Sequence, residues 1–183
     1  MTQHGETTEQ RLNIIQNSPV STNIEGNEEA VTYSAKLPFV EPFRAVHEDG
    51  DPDNEAFLYL IEVPEDLHGH GIATRIMGSL AYHLLNNGYD RLVTSVDSEY
   101  TIKIFRRLFG EENIRFRDYS PEPRQEYVLP MTVDQAIASI GGRDRGWNFR
   151  EYNDQNVPEK ELFINVDVDL RAFSTSGPET PTI

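Results

Sequence analysis

The sequence has no cysteine, three lysines and one tryptophan among its 183 residues. Without cysteine it can form no disulfide, no thiolate nucleophile and no cysteine-based zinc site, which suits an intracellular protein. It also lacks any run of about 18 apolar residues, so we expect neither a membrane span nor a membrane partner. Its first residues have no basic start and no apolar core, and we expect no signal peptide.

Positive charge is also scarce. The 31 acidic residues outnumber the 16 basic ones, and the net charge is −15 at pH 7. No basic patch stands out, so a nucleic-acid partner is not expected. An acidic, lysine-poor surface suits concentrated salt, where the screening length at 1 M is only about 3 Å. We therefore expect a cytoplasmic protein of a halophile, with an ordinary acidic cytosolic protein as the alternative.

The most informative feature is a strand, a glycine-bearing turn and a helix in succession. An apolar run over residues 56–63 leads into the turn, and apolar side chains at helical spacing follow over residues 72–86. This layout directs backbone N–H groups and the positive end of a helix at an anion. It predicts a phosphate-bearing small molecule as ligand. The alternative is a tight turn that needs glycine for steric reasons alone.

The turn resembles a known motif. The hexapeptide His68-Gly69-His70-Gly71-Ile72-Ala73 is similar to the Arg/Gln-x-x-Gly-x-Gly/Ala motif of the GNAT superfamily of acyl-CoA N-acyltransferases, with His68 where Arg or Gln is usual. The resemblance implies that acetyl-CoA is a substrate and that the loop amides bind its pyrophosphate. The implied cofactor-binding residues are Ile61, Val63, His68, Gly69, His70, Gly71, Ile72, Ala73, Thr74 and Ser98.

The resemblance continues downstream, with departures. Residues 91–96 resemble the next family strand, and residues 98–110 resemble the family's Asn-x-x-Ala-x-x-x-Tyr helix. Ser98 replaces the usual Asn, and Phe105 replaces the Tyr that often serves as general acid. A phenyl ring cannot protonate a departing thiolate, so the CoA-binding half of the signature is stronger than the catalytic half.

Three residues are candidates for catalysis. Glu62, at the end of the predicted strand, could accept a proton from an amine, or it could simply face outward. Tyr59 and Tyr100 could supply the missing acid, or they could be core packing. No metal is expected, because His68 and His70 have no third ligand nearby and the acidic turn around Asp51 departs from the EF-hand pattern.

The implied fold class is α/β, with a mixed, mostly antiparallel sheet flanked by helices on both faces. We divide the chain into a polar N-terminal arm (1–29), a GNAT-like domain (30–141), a C-terminal extension (142–171) and a disordered tail (172–183). The arm is expected to hold at most one strand or helical turn around residues 12–15. Predicted strands cover 30–37, 43–47, 56–63, 92–96, 114–119, 127–131 and 162–170, and predicted helices cover 72–86, 100–109 and 133–140.

The last predicted strand has the cleanest alternation in the chain. It is expected to complete or extend the sheet, and a homo- or hetero-oligomer formed through it is one expectation. The leading function is acetyl-CoA-dependent N-acetyl transfer to an unidentified amine, which attacks the thioester directly. The alternative is a catalytically silent GNAT-fold component of a larger assembly such as a virion. The missing Tyr, the short N-terminal half and the long tails favour that alternative, and the retained loop argues against it.

Overall fold

The computed structural model describes residues 6–27, 29–49, 54–60, 62–96, 98–120, 125–141 and 164–175. Its helices are α1 (Thr8–Asn17), α2 (Ile72–Asn86), α3 (Glu99–Phe109), α4 (Val133–Gly141) and α5 (Arg171–Thr175). Its strands are β1 (Ser21–Gly26), β2 (Ala30–Lys36), β3 (Phe43–Glu48), β4 (Glu55–Leu60), β5 (Arg91–Val96), β6 (Ile114–Ser120), β7 (Gln125–Val128) and β8 (Ile164–Asp169). Among the helices of these described ranges, none combines the length and hydropathy that crossing a bilayer requires.

The strands form one eight-stranded sheet in the order β1-β2-β3-β4-β5-β8-β6-β7. Only β4 and β5 pair in parallel, and every other neighbouring pair is antiparallel. Helix α2 makes the crossover between the two parallel strands, as a parallel connection requires. The mixed, mostly antiparallel sheet with flanking helices is therefore confirmed.

The apolar core lies on one face of this sheet. Its strand residues include Tyr33, Ala35, Phe43, Ala45, Ala56, Leu58, Leu92, Val96, Phe116, Val166 and Val168, and its helix residues include Ile15, Ile76, Phe105 and Ala136, with Phe173 of α5 packed against them. Each of the five described helices contributes residues to this core or packs against it. The N-terminal region supplies one helix, α1, which docks beside the start of α2.

The N-terminal arm is more structured than its polar composition indicates. A capping box starts α1, in which Thr7 and Gln10 bond each other's backbone N–H groups. Ile15 is 1% exposed and anchors the helix in the core. Strand β1 follows and pairs along its whole length with β2. The expectation of at most one strand or helical turn is therefore wrong, because one buried isoleucine and a backbone ladder suffice to order a polar segment.

Strand β8 lies inside the sheet. It pairs with β5 on one side and with β6 on the other, so its backbone bonds are taken within the chain. Strand addition from another chain needs a free edge, which β8 does not offer, and an oligomer through this strand stays a prediction. Residues 142–163 and 176–183 of the predicted extension and tail lie outside the described residues, but α5 orders residues 171–175, where the tail was expected to begin.

The second face of β8 carries a buried ion-pair cluster. Asp167 is 4% exposed and accepts hydrogen bonds from Arg91 and Arg117, and Arg91 also pairs with Glu55 on β4 at 3.1 Å. Buried charges persist where they are paired and hydrogen-bonded. The cluster cross-links β4, β5, β8 and β6, so this face of β8 is occupied by partners from its own sheet.

Candidate functional site

The connection between β4 and α2 forms a well-anchored loop. A 3-10 turn spans Glu65–Leu67, and Leu67 is 1% exposed, so its side chain fixes the loop to the core. His68 closes the turn, donating its backbone N–H to the Glu65 carbonyl at 3.1 Å. Gly69, His70 and Gly71 then lie exposed on the surface. The loop therefore presents its glycine backbone to solvent from a fixed base.

Two glycines in the loop adopt left-handed backbone angles. Gly69 has φ +80° and Gly71 has φ +72°. Either angle is strained for a residue with a Cβ, which explains the need for glycine. No heavy atom lies within 4 Å of the place where a Cβ would be built on either residue. Crowding therefore does not dictate these glycines, and the space above the backbone is open to a ligand.

Helix α2 begins with its N–H groups uncovered. Gly71 is the N-cap, no side chain bonds to this end, and the first turn holds no acidic residue. The first amides of a helix have no intrahelical acceptor, and the helix dipole makes this end partly positive. Ile72 is buried, while Ala73 and Thr74 are half-buried. The end of the loop and the first turn of α2 can therefore hold an anion by backbone amides.

The side chain of His68 has a structural contact. Its Nε2 atom lies 2.7 Å from the backbone carbonyl oxygen of Val63, which is half-buried just beyond β4. This bond ties the turn to the end of the strand. Because the backbone N–H of His68 is also taken, by the Glu65 carbonyl, the free loop amides are those of the residues that follow. His70 is exposed, and the described residues contain no cluster of three or more side chains suited to a metal ion.

Strands β4 and β5 separate at the same end of the sheet. Their paired residues are Glu55 with Arg91, Ala56 with Leu92 and Phe57 with Val93. Beyond that point the hydroxyl of Thr94 donates to the Leu58 carbonyl at 2.9 Å, so a side chain takes the place of the next backbone contact. The two strands continue to Leu60 and Val96. The two strands therefore separate and leave a gap between them where β4 leads into the loop.

The candidate catalytic side chains are all exposed, near the ends of β4 and β5 in the chain. Tyr59 is 59% exposed on β4, and its ring packs against Phe57 at 5.1 Å between centroids. Glu62 is exposed beyond the end of β4. Tyr100 is 67% exposed in the first turn of α3, with the Lys103 ammonium 5.3 Å from its ring centroid. Neither tyrosine is core packing.

Two other residues were predicted to belong to the site. One caps a helix, and the other lies outside the described residues. Ser98 is the N-cap of α3, where its hydroxyl accepts from the Tyr100 backbone N–H at 3.3 Å. Ile61 lies outside the described residues. The predicted strand over residues 56–63 is shorter in the structure, since β4 ends at Leu60.

Phe105 lies in the core rather than on the surface. It is fully buried, and its ring packs against Phe109 at 6.0 Å between centroids. A tyrosine hydroxyl at this position would lie among apolar side chains.

Residues that the motif analysis missed hold α1 against the loop. Arg75, in α2, donates to the backbone carbonyls of Ile15 and Ser18 at the end of α1. Asp66, in the 3-10 turn, accepts from Thr8 and Arg11 at the start of α1. These contacts fix both sides of the loop. The Thr7-x-x-Gln10 capping box was the available signal for the helix, but no sequence signal pointed to its docking site.

The opposite face of β1–β4 forms a groove, which we call the outer groove, of about 910 Å³. Its lining includes Glu25, Ser34, Lys36, Arg44, Glu48 and Tyr59. These side chains alternate with the core residues of the same strands, so the groove lies on the face away from the core. Tyr59 connects the groove to the gap between β4 and β5.

Comparisons with known proteins give structural likeness alone. No protein-family model matches the chain, and no curated protein matches it in sequence. It is similar in structure to an IAA acetyltransferase from Bacillus cereus, at 12% identity and a TM-score of 0.41, over 78% of this chain and 79% of that one. It is also similar to a Bacillus subtilis acetyltransferase in complex with CoA, at 10% identity and a TM-score of 0.43, over 82% and 99%. The parallel β4–β5 pair in a mostly antiparallel sheet, with a glycine loop opening the crossover helix, gives the chain a GNAT-like fold.

Proposed function

We propose that the chain is an acyl-CoA-dependent N-acetyltransferase. The observation that carries this proposal is the uncapped start of α2 behind the exposed Gly69–Gly71 backbone, next to a gap between two parallel strands. The loop and helix amides would bind the pyrophosphate of acetyl-CoA. The pantetheine arm would then run toward the gap, with the thioester at the backbone of Ile61 and Glu62.

The chemistry requires no nucleophile from the protein. The acceptor nitrogen bonds to the thioester carbonyl carbon, the carbon–sulfur bond breaks, and the CoA thiolate leaves. A backbone N–H in the gap would stabilise the tetrahedral oxyanion. Glu62, directly or through water, would take the proton from the amine, and Tyr59 or Tyr100 would protonate the thiolate. Both tyrosines are exposed on the surface, which suits a group that meets a substrate.

The silent-component alternative receives no specific support. Its main argument was the missing tyrosine, whereas two other tyrosines, Tyr59 and Tyr100, are exposed and available as the acid. Its second argument was a short N-terminal half, and α1 and β1 order that region. The acetyltransferase proposal therefore stands as the one to test.

Binding is the first experiment. Acetyl-CoA, CoA and acetyl-pantetheine are each titrated against the protein in 2 M KCl while the melting temperature is followed. A ligand at 100 times its dissociation constant stabilises a protein by about 2.7 kcal/mol. We expect a shift with acetyl-CoA and CoA and none with acetyl-pantetheine, which lacks the pyrophosphate. The absence of any shift at millimolar acetyl-CoA would contradict the proposal.

Turnover is the second experiment. Because the chain has no cysteine, a thiol-reactive dye reports only the CoA that is released. A panel of amines, polyamines, amino acids and peptides is tested with acetyl-CoA. Release of CoA that depends on both protein and acceptor is expected. Binding without release for every acceptor would support the silent component.

A further inference from the structure

The outer groove holds two cations in a chain that has few. Lys36 is the last residue of β2 and Arg44 is the second residue of β3, and both are exposed on the groove face. Within the described residues, neither side chain has an ion-pair partner. Most other arginines there do pair with carboxylates: Arg11, Arg91, Arg106, Arg117 and Arg171. Two unpaired cations side by side in a protein of net charge −15 point to an anionic ligand.

The strand register brings the two cations together. Arg44 lies opposite Ser34, and Lys36 is two residues further along the same face of β2. Such diagonal neighbours have Cα atoms about 7–8 Å apart, within reach of long side chains. A guanidinium and an ammonium at this separation can bind one carboxylate between them.

The cation pair lies at the end of the sheet where the gap opens. Arg44 is the register partner of Leu60, the last residue of β4. The opposite end of the groove is acidic, since Glu25 is the second-last residue of β1 and Glu48 is the last residue of β3. A carboxylate is therefore attracted to the end near Leu60 and repelled from the other end.

We propose that the outer groove binds the acyl acceptor and that this acceptor is an amine bearing a carboxylate, of the amino acid class. The inference rests on the proposed acetyl transfer. Lys36 and Arg44 hold the carboxylate, and the amine lies beside Tyr59 and the end of β4. Acetyl-CoA approaches from the loop side, and the acceptor approaches from the opposite face of the sheet.

The test uses acceptors that differ only by the carboxylate. L-leucine is compared with 3-methylbutylamine, and L-phenylalanine with 2-phenylethylamine, by CoA release. The parent is compared with a Lys36→Gln/Arg44→Gln double variant. Arg107→Gln is the control, because Arg107 is an exposed arginine of α3, outside the groove, without an ion-pair partner in the described residues. For each matched pair, the rate with the amino acid is divided by the rate with the amine. The parent and the variant are then compared by this ratio, in which the intrinsic difference in amine basicity cancels.

We expect the double variant to lower the ratio of kcat/KM for amino acid over amine by about tenfold or more, since a charge-assisted hydrogen bond is worth about that factor. The control should keep the parent's ratio. An unchanged ratio in the double variant would overturn the inference.

A binding measurement tests the inference even if the protein shows no turnover. Equilibrium dialysis of radiolabelled L-leucine and L-phenylalanine, with CoA present, measures the groove directly. Weakened binding in the double variant alone supports the inference even if no CoA is released, in which case only the proposed function fails. No binding of either amino acid to the parent, while acetyl-CoA binds, overturns the inference and leaves the proposed function standing.

Discussion

The hydroxyl of Thr94 donates a hydrogen bond to the backbone carbonyl of Leu58 at 2.9 Å, next to the last paired residues of β4 and β5. The bond satisfies a carbonyl at the point where the parallel ladder stops, and both residues are buried. The strands can therefore part without leaving this acceptor unsatisfied inside the protein.

Replacing Thr94 by valine should destabilise the protein. Valine matches the shape of threonine but removes the donor, so the Leu58 carbonyl would remain buried without this partner. We expect the free energy of unfolding to fall by about 1–3 kcal/mol. Denaturant unfolding measures the change. Thr94→Ser keeps the hydroxyl and is the control; a loss as large in the serine variant as in the valine variant would show that packing, not the hydrogen bond, matters here.

Gly71→Glu should abolish acetyl-CoA binding. Gly71 has φ +72° and open space above it, so the new side chain would occupy the anion position with a negative charge and a strained backbone. Calorimetric titration with acetyl-CoA measures the loss.

Gly88→Glu is the matched control for that variant. Gly88 has φ +93° and equally open space, but it follows the other end of α2. Both variants should lose about 1–2 kcal/mol of stability from the left-handed backbone. Only Gly71→Glu should lose binding, and equal affinity in the two variants would place the site elsewhere.

Glu62→Gln should slow turnover if Glu62 is the general base. General base catalysis contributes about 10²–10⁴-fold, so kcat should fall by about that factor while acetyl-CoA affinity is retained. Steady-state kinetics by CoA release gives both quantities. Glu65→Gln, at an exposed residue of the neighbouring 3-10 turn, should leave kcat unchanged. Full activity of Glu62→Gln would assign the base to water or to another residue.

Phe105→Tyr should not restore a general acid. The ring is fully buried beside Phe109, so a hydroxyl there would be desolvated in the core. We expect a loss of about 1–3 kcal/mol of stability and no gain in kcat. Phe39→Tyr, at a side chain that is 41% exposed, is the control for the added hydroxyl. A tenfold rise in kcat for Phe105→Tyr would mean that the α3 ring reaches the thiolate after all.

The protein should be more stable in concentrated salt. Its 31 acidic residues repel one another when screening is weak, and this repulsion opposes the compact state. We expect the melting temperature to fall on dialysis from 2 M to 0.05 M KCl. A low-salt sample with sucrose is the control, because sucrose stabilises a protein by being excluded from its surface but does not screen charge. A flat or rising melting temperature on that dialysis would remove the proposal of a halophilic origin.

Local sequence patterns were enough to predict the elements that have a clear periodicity or a glycine at their ends. The apolar stripe and the flanking glycines predicted α2 over 72–86, and the structure has Ile72–Asn86. The glycine turn before it could also be predicted, because left-handed backbone angles cost little energy only for glycine. The alternation at the C-terminal end predicted β8, and Ile164–Asp169 is a strand. Each of these depends on neighbours within one turn or one strand.

Tertiary structure alone decided where these elements meet. The position of β8 between β5 and β6 and the docking of α1 by Arg75 both join residues far apart in the chain. The strand register likewise places Lys36 and Arg44 near each other on one face of the sheet. Such contacts depend on the packing of the whole sheet, and a polar segment such as residues 8–17 shows no periodicity strong enough to reveal them.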